Sequence, residues 1–153
     1  MTKYSVNVLL KTWTSEIFIG VLDQIIPNRE ETADEFEFPQ FSDQPEFLTN
    51  SSLEAVKKIE GTMGESYQIS WGNVMNSSPE MVTAYFLKDG GLALTLNILA
   101  DLPIDALKRV VSKFDCEYAF ISYVFDPFSE RSDFVKRCIG APRPKIVDKK
   151  AEL

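Results

Sequence analysis

The chain has 153 residues, 44% of them hydrophobic and 25% charged, which is the size and composition of one globular domain with its own core. Its formal net charge of −7 argues against a nucleic-acid-binding protein, because phosphate contacts require a basic surface. The sequence contains no histidine, which excludes Ser-His-Asp and Cys-His catalysis and zinc held by histidine.

The first third of the chain predicts one strand and two helices, separated by a long loop that is treated below. Alternating apolar residues predict a strand over residues 4–11. Apolar residues at helical spacing follow, and they predict a helix that Ser15 caps and Pro27 ends. The sequence Ser-Ser-Leu-Glu from Ser51 is a capping box, which predicts a second helix that ends near Gly61.

The rest of the chain predicts strands and two further helices. Four strands are predicted, over residues 66–71, 81–88, 92–99 and 117–125. The Asp-Gly-Gly sequence at residues 89–91 predicts a hairpin, because glycine tolerates the positive φ of hairpin turns. A third helix is predicted from Pro103, and a short fourth helix over residues 132–139. Together these elements predict an α+β fold with a mostly antiparallel sheet and helices packed on one face.

The predicted organisation is a single domain over residues 1–140, with a loop at residues 27–50 and a flexible C-terminal tail over residues 141–153. Cys116 and Cys138 have neither CxxC spacing nor a histidine nearby, which is typical of reduced structural thiols. No apolar run approaches the roughly 18 residues of a membrane span. We therefore expect a cytoplasmic protein with neither a membrane nor a nucleic-acid partner.

Catalytic and cofactor motifs are missing from the sequence. Neither GxxxxGK[ST] nor GxGxxG occurs, so nothing in the sequence predicts a phosphate-binding loop. Candidates for acid–base chemistry or Mg²⁺ binding are Asp126, Glu130 and Asp133, or the acidic residues of the stretch 30–37, and neither group has a diagnostic spacing. The first group fits the solvated first turn of a helix better. We expect no enzyme activity, no cofactor and no metal.

The loop at residues 27–50, called the acidic loop below, carries the charge excess of the chain. Its stretch from residue 29 to residue 47 holds seven acidic residues, four phenylalanines and one basic residue, Arg29. Phe36 and Phe38 alternate with acidic neighbours, as in an extended segment with rings on one side and carboxylates on the other. Two interpretations stay open and are compatible: the rings anchor the loop to the core, or some of them contact a partner.

A small acidic α+β chain with no catalytic constellation and one acidic, aromatic loop resembles bacterial toxin-immunity proteins, in general profile and without a specific motif. The resemblance implies a non-catalytic inhibitor that binds a cognate toxin domain, often a basic nuclease, and covers its active site. The loop carboxylates would then pair with toxin lysines and arginines, and the rings would be hot spots. The candidate partner-binding residues are Glu30, Glu31, Asp34, Glu35, Phe36, Glu37, Phe38, Phe41, Asp43 and Glu46.

Two other classes of protein remain compatible with the sequence. A small ligand-binding domain or enzyme would have a deep pocket between sheet and helices, with convergent carboxylates. An adaptor or regulatory subunit of a larger assembly would share every feature of the inhibitor. The sequence leaves the oligomeric state, monomer or homodimer, open.

Overall fold

The computed structural model describes residues 3–10, 12–60, 62, 64–99, 101–124 and 126–153. In this part of the chain the helices are α1 (Ser15–Ile25), α2 (Ser52–Ile59), α3 (Pro103–Val111) and α4 (Arg131–Gly140). The strands are β1 (Tyr4–Leu10), β2 (Arg29–Glu31), β3 (Phe36–Phe38), β4 (Phe47–Thr49), β5 (Tyr67–Asn73), β6 (Met81–Phe86), β7 (Leu92–Ile98), β8 (Cys116–Ser122), β9 (Lys145–Val147) and β10 (Lys150–Glu152). No helix among these residues is both long and apolar enough to cross a membrane.

One eight-stranded sheet organises the fold and confirms the predicted α+β class. Its strand order is β10-β9-β8-β1-β7-β6-β5-β2, and every neighbouring pair is antiparallel. The predicted Asp-Gly-Gly hairpin joins β6 to β7, where the N–H of Leu87 donates to the carbonyl of Gly91 over 2.9 Å. Gly90 lies in the turn with φ of 90°, a conformation that favours glycine.

The two faces of the sheet carry different layers. Residues of α1, α2 and α3 pack on one face against Val6, Val8 and their neighbours. Helix α4 lies on the other face, where Phe134 packs with Leu9 and Phe120. The predicted arrangement with helices on one face thus holds for three helices and not for α4. The physical reason is that β1 and β8 place apolar side chains on both of their faces, so both need a cover.

Helix starts follow the predicted capping chemistry with small shifts. Thr14, and not Ser15, caps α1, because its hydroxyl accepts the N–H of Ile17. Ser51 caps α2 as predicted. The carboxylate of Glu54, however, accepts the hydroxyl of Thr49 over 2.7 Å, so only half of the capping box forms.

The prediction of a flexible C-terminal tail is wrong, because the residues beyond 141 add two strands to the sheet. Strand β9 pairs with β8, and β10 pairs with β9. Ile146 is buried in the core, and the ammonium group of Lys145 donates to the carbonyls of Ile139 and Ala141, each over 2.7 Å. The pairing of β9 with β8 joins segments that are far apart in sequence, and β10 is a three-residue strand after a tight turn, so the segment alone carries no strand signal.

Candidate functional site

The acidic loop contains regular structure, which corrects the prediction of an irregular loop. Strand β2 pairs with β5 and forms one edge of the large sheet. Strands β3 and β4 pair with each other and form a separate two-stranded sheet. We call residues 36–49 the acidic hairpin and its turn, residues 39–46, the tip. Three-residue strands are defined by their partners, which sequence periodicity does not reveal.

Two of the four phenylalanines in the acidic loop are anchors. Phe36 and Phe38 are only 5% and 8% exposed, and the ring of Phe38 stacks on Tyr67 with centroids 6.1 Å apart. Phe47 is half-buried beneath the ammonium group of Lys58. The predicted alternation of rings and carboxylates is present, but the ring side faces the protein's own core. This corrects the expectation that Phe36 and Phe38 contact a partner.

Tyr67, on which the ring of Phe38 stacks, also lies close to the Glu37 carboxylate of the acidic loop. Burial, with a further contribution from the nearby Glu37 carboxylate, raises the pKa of Tyr67 to about 12. This raised pKa extends the pH range in which its hydroxyl is neutral from about 10 to about 12. The stacked pair of Phe38 and Tyr67 consequently provides an uncharged base for the hairpin.

Phe41 differs from the other three rings, because it lies at the tip and is 86% exposed. Its φ is 63°, in the left-handed region that a bulky side chain rarely adopts. The Glu37 carboxylate holds this conformation by accepting the N–H of Phe41 over 2.9 Å. The tip therefore maintains a strained backbone that projects a large apolar ring into solvent, and such strain clusters at functional sites.

Side chains also tie the tip to the edge of β5. The amide of Gln40 donates to the carbonyl of Gln68 and accepts its N–H, both over 2.8 Å. Further along β5, the hydroxyl of Thr32 donates to the carbonyl of Ser70 over 3.1 Å. These side chains replace the strand partner that β2 is too short to supply. Sequence reasoning missed the contacts of Gln40 and Thr32 with β5, since a neutral residue in a loop carries no signal of a distant partner.

The carboxylates of the acidic loop divide into two groups. In the described part of the chain, none of the seven forms an ion pair. Glu37 holds the tip, and Glu31 accepts both the N–H and the hydroxyl of Ser52 at the start of α2, over 2.9 and 2.5 Å. The remaining acidic residues of the loop are exposed: Glu30, Asp34, Glu35, Asp43 and Glu46. The negative charge of this surface is therefore directed to solvent.

A cavity of about 230 Å³ opens between the acidic hairpin and β5. Glu35, Glu37, Gln40, Phe41 and Gln68 are among its lining residues. Two carboxylates and an aromatic ring are the groups that attract a guanidinium or ammonium group, by charge and by cation–π contact. The arrangement suits one long cationic side chain.

A larger cavity, an open groove of about 840 Å³, lies beside α4. Its carboxylate Asp89 already accepts the N–H groups of Gly91 and Arg131. The guanidinium group of Arg131 binds Glu117 over 2.5 Å. The groove therefore presents groups that stabilise a hairpin and a helix start, and it contains no residue of the acidic loop.

The other acidic candidates are dispersed. Glu130 occupies the N-cap position of α4 without a side-chain capping bond, and Asp133 lies 3.9 Å from Arg137 in an ion pair along that helix. Across the described ranges, no group of three or more His, Cys, Asp or Glu side chains is placed to hold a metal ion.

Comparison of the chain with protein-family models, curated proteins and solved structures found no significant match in any of the three. Its function is therefore inferred from the geometry of the site.

Proposed function

We propose that this protein is a non-catalytic inhibitor of the toxin-immunity type, which binds a cognate toxin domain with a basic surface and covers its active site through the acidic hairpin. The observation that carries the proposal is the position of Phe41. Its ring is 86% exposed on a backbone held in the left-handed region, among carboxylates that form no ion pair in the described part of the chain.

Rigidity of the tip supports this proposal. A docking residue loses less conformational entropy on binding when its backbone is already fixed. The bond that the N–H of Phe41 donates to Glu37 and the two bonds between Gln40 and Gln68 fix the chain at Phe41 and at the residue before it. An aromatic ring buries roughly 150–250 Å² on contact, which makes Phe41 the candidate hot spot of the interface.

Charge supports the choice of a basic partner. Residues 1–80 carry thirteen acidic and five basic residues, whereas residues 81–153 carry ten acidic and eleven basic residues. The excess is thus concentrated in the half of the chain that contains the acidic hairpin. Such a field raises the association rate with a cationic surface by roughly 10- to 1,000-fold at low salt. A lysine or arginine of the partner would enter the cavity between Glu35, Glu37 and Phe41.

Co-expression tests the proposal. The chain that co-purifies with this protein from its native organism is identified, and it is then expressed in a sensitive bacterial host with and without this protein. We expect growth to be restored by the natural sequence and lost with Phe41→Ala. Ile17→Ala is the matched control, since Ile17 is also an exposed apolar residue, at 54%, and lies on α1 away from the acidic loop. Failure to protect, or equal protection by the Phe41 variant, would contradict the proposal.

A further inference from the structure

Strand β10 forms the edge of the sheet opposite to β2, and in the described part of the chain it pairs only with β9. The turn before it consists of Asp148 and Lys149, with φ of 49° and 68°. Two consecutive positive φ values define a type I′ turn, which joins strands in a fixed register. The N–H of Lys149 also donates to the carbonyl of Glu117 over 2.8 Å, so this hairpin is fixed to β8.

The turn type determines which backbone groups face outward. In a two-residue hairpin the closing residues, here Val147 and Lys150, exchange hydrogen bonds with each other. The next pair, Ile146 and Ala151, therefore directs its N–H and C=O groups away from the hairpin. Those of Ile146 face β8, where it pairs with Ala119. Those of Ala151 face the open edge, and Ala151 is exposed.

The charges on β10 would be complementary to those on β10 of a second copy, if the two strands paired antiparallel. Lys150 and Glu152 flank Ala151, and both side chains lie on the sheet face that α4 covers, since their partners Val147 and Lys145 face that helix. Glu152 also lies 3.7 Å from the guanidinium group of Arg143 in its own chain, so a dimer contact shares this carboxylate with Arg143. If two copies pair about Ala151, Lys150 of each copy lies opposite Glu152 of the other. A lone lysine on an edge strand would discourage pairing, whereas a lysine and a glutamate in these positions favour pairing with an identical strand.

We infer that two copies of this chain associate through β10, antiparallel and about a two-fold axis at Ala151, to form one continuous sheet. The Ala151 residues exchange two backbone hydrogen bonds, and two Lys150–Glu152 pairs flank them. Such an interface is isologous and closed, so association stops at the dimer. The small alanine side chain allows the two strands to approach on the axis.

This dimer leaves the acidic hairpin free. Strand β2 and the neighbouring acidic hairpin belong to the opposite end of the sheet from β10. A β10 dimer would carry two acidic hairpins at its two ends. The inference does not depend on the proposed function, because it concerns a different edge and a different partner.

Sedimentation velocity of the whole chain, from about 1 µM to about 1 mM, tests the dimer. We expect the mass to rise with concentration from 17.3 kDa towards twice that value. Lys150→Glu places carboxylates opposite each other, so the dissociation constant should rise at least about 10-fold. Glu152→Lys should act similarly, and the double exchange Lys150→Glu/Glu152→Lys should restore the dimer.

Ala151→Pro removes the outward N–H without removing a bond of the β9–β10 hairpin, so it should abolish the dimer. Ala151→Ser, which keeps the N–H, is the matched control. If the proline variant does not fold, the charge exchange alone decides the question. A chain that stays monomeric at every concentration would overturn the inference. So would a dimer that the charge variants leave unchanged.

Discussion

Gln40 and Gln68 are joined by two hydrogen bonds of 2.8 Å, through which a single side chain satisfies both backbone groups of a β5 residue that β2 does not reach. In this role the amide replaces a neighbouring strand, and it fixes the residue that precedes Phe41. The exposed ring and the large sheet are thereby connected through one side chain. The following predictions start from this connection.

Gln40→Ala should loosen the tip without unfolding the protein. Both bonds lie at an exposed position, where water replaces them, so we expect a loss of about 0.5–1.5 kcal/mol of stability. The amide hydrogen of Gln68 should exchange with solvent faster, which native-state hydrogen exchange measures directly. Gln44→Ala, at an exposed position of the same tip, is the control. Unchanged protection of the Gln68 amide would show that the side chain does not hold the edge.

Truncation to alanine should lower the stability of the fold strongly at Phe38 and very little at Phe41. Phe38→Ala removes a buried ring, which typically costs about 3–5 kcal/mol, so the melting temperature should fall by roughly 6 to 20 °C. Phe41→Ala should change stability by about 0.5 kcal/mol or less, because the ring is exposed. Thermal unfolding followed by circular dichroism measures both. A similar fall for both variants would mean that Phe41 also anchors the loop.

Lys145 should contribute to stability through its charge. Lys145→Met keeps the length of the side chain but leaves the carbonyls of Ile139 and Ala141 without their donor, at a cost of about 1–3 kcal/mol. Urea unfolding gives the change in the free energy of unfolding. Lys136→Met, at an exposed position of α4, should have almost no effect. Equal effects of the two variants would contradict a role for the buried ammonium group.

Alkaline pH should destabilise the fold. Because the pKa of Tyr67 is raised from 10.0 to about 12, the folded state binds more protons than the unfolded chain across that window. Stability then falls as pH rises, by about 2–3 kcal/mol for this group. Burial also raises the pKa of the Cys116 and Cys138 thiols to about 11, which adds to the same slope. Tyr67→Phe should reduce the slope of stability against pH, and an unchanged slope would contradict the assignment.

Local sequence signals predicted most of the main sheet. The hairpin before β7 and the cap at Ser51 depend on residues close together in the chain, and both are present. Strands β2, β3 and β4 were missed because each has only three residues and is defined by its pairing. Strands β9 and β10 were missed for the same reason.

The site was predicted in part. The sequence indicated the charge and aromatic content of the acidic loop, and it left open which rings were anchors. Only the three-dimensional packing distinguishes Phe38 from Phe41, because both lie in similar acidic surroundings. The roles of Gln40 and Thr32 depend on residues of β5 that lie 28 and 38 positions further along the chain, and no local pattern reveals these contacts.

The most direct test of the proposed function is the association rate with the cognate chain that co-purifies with this protein, measured by stopped flow from about 50 to about 500 mM NaCl. We predict that the rate of the natural chain falls steeply with salt. Reversing the charge of Glu35 and Asp34 should flatten this dependence, and Phe41→Ala should mainly accelerate dissociation. An association rate that does not change with salt, or a complex indifferent to both sets of substitutions, would contradict docking through the acidic hairpin.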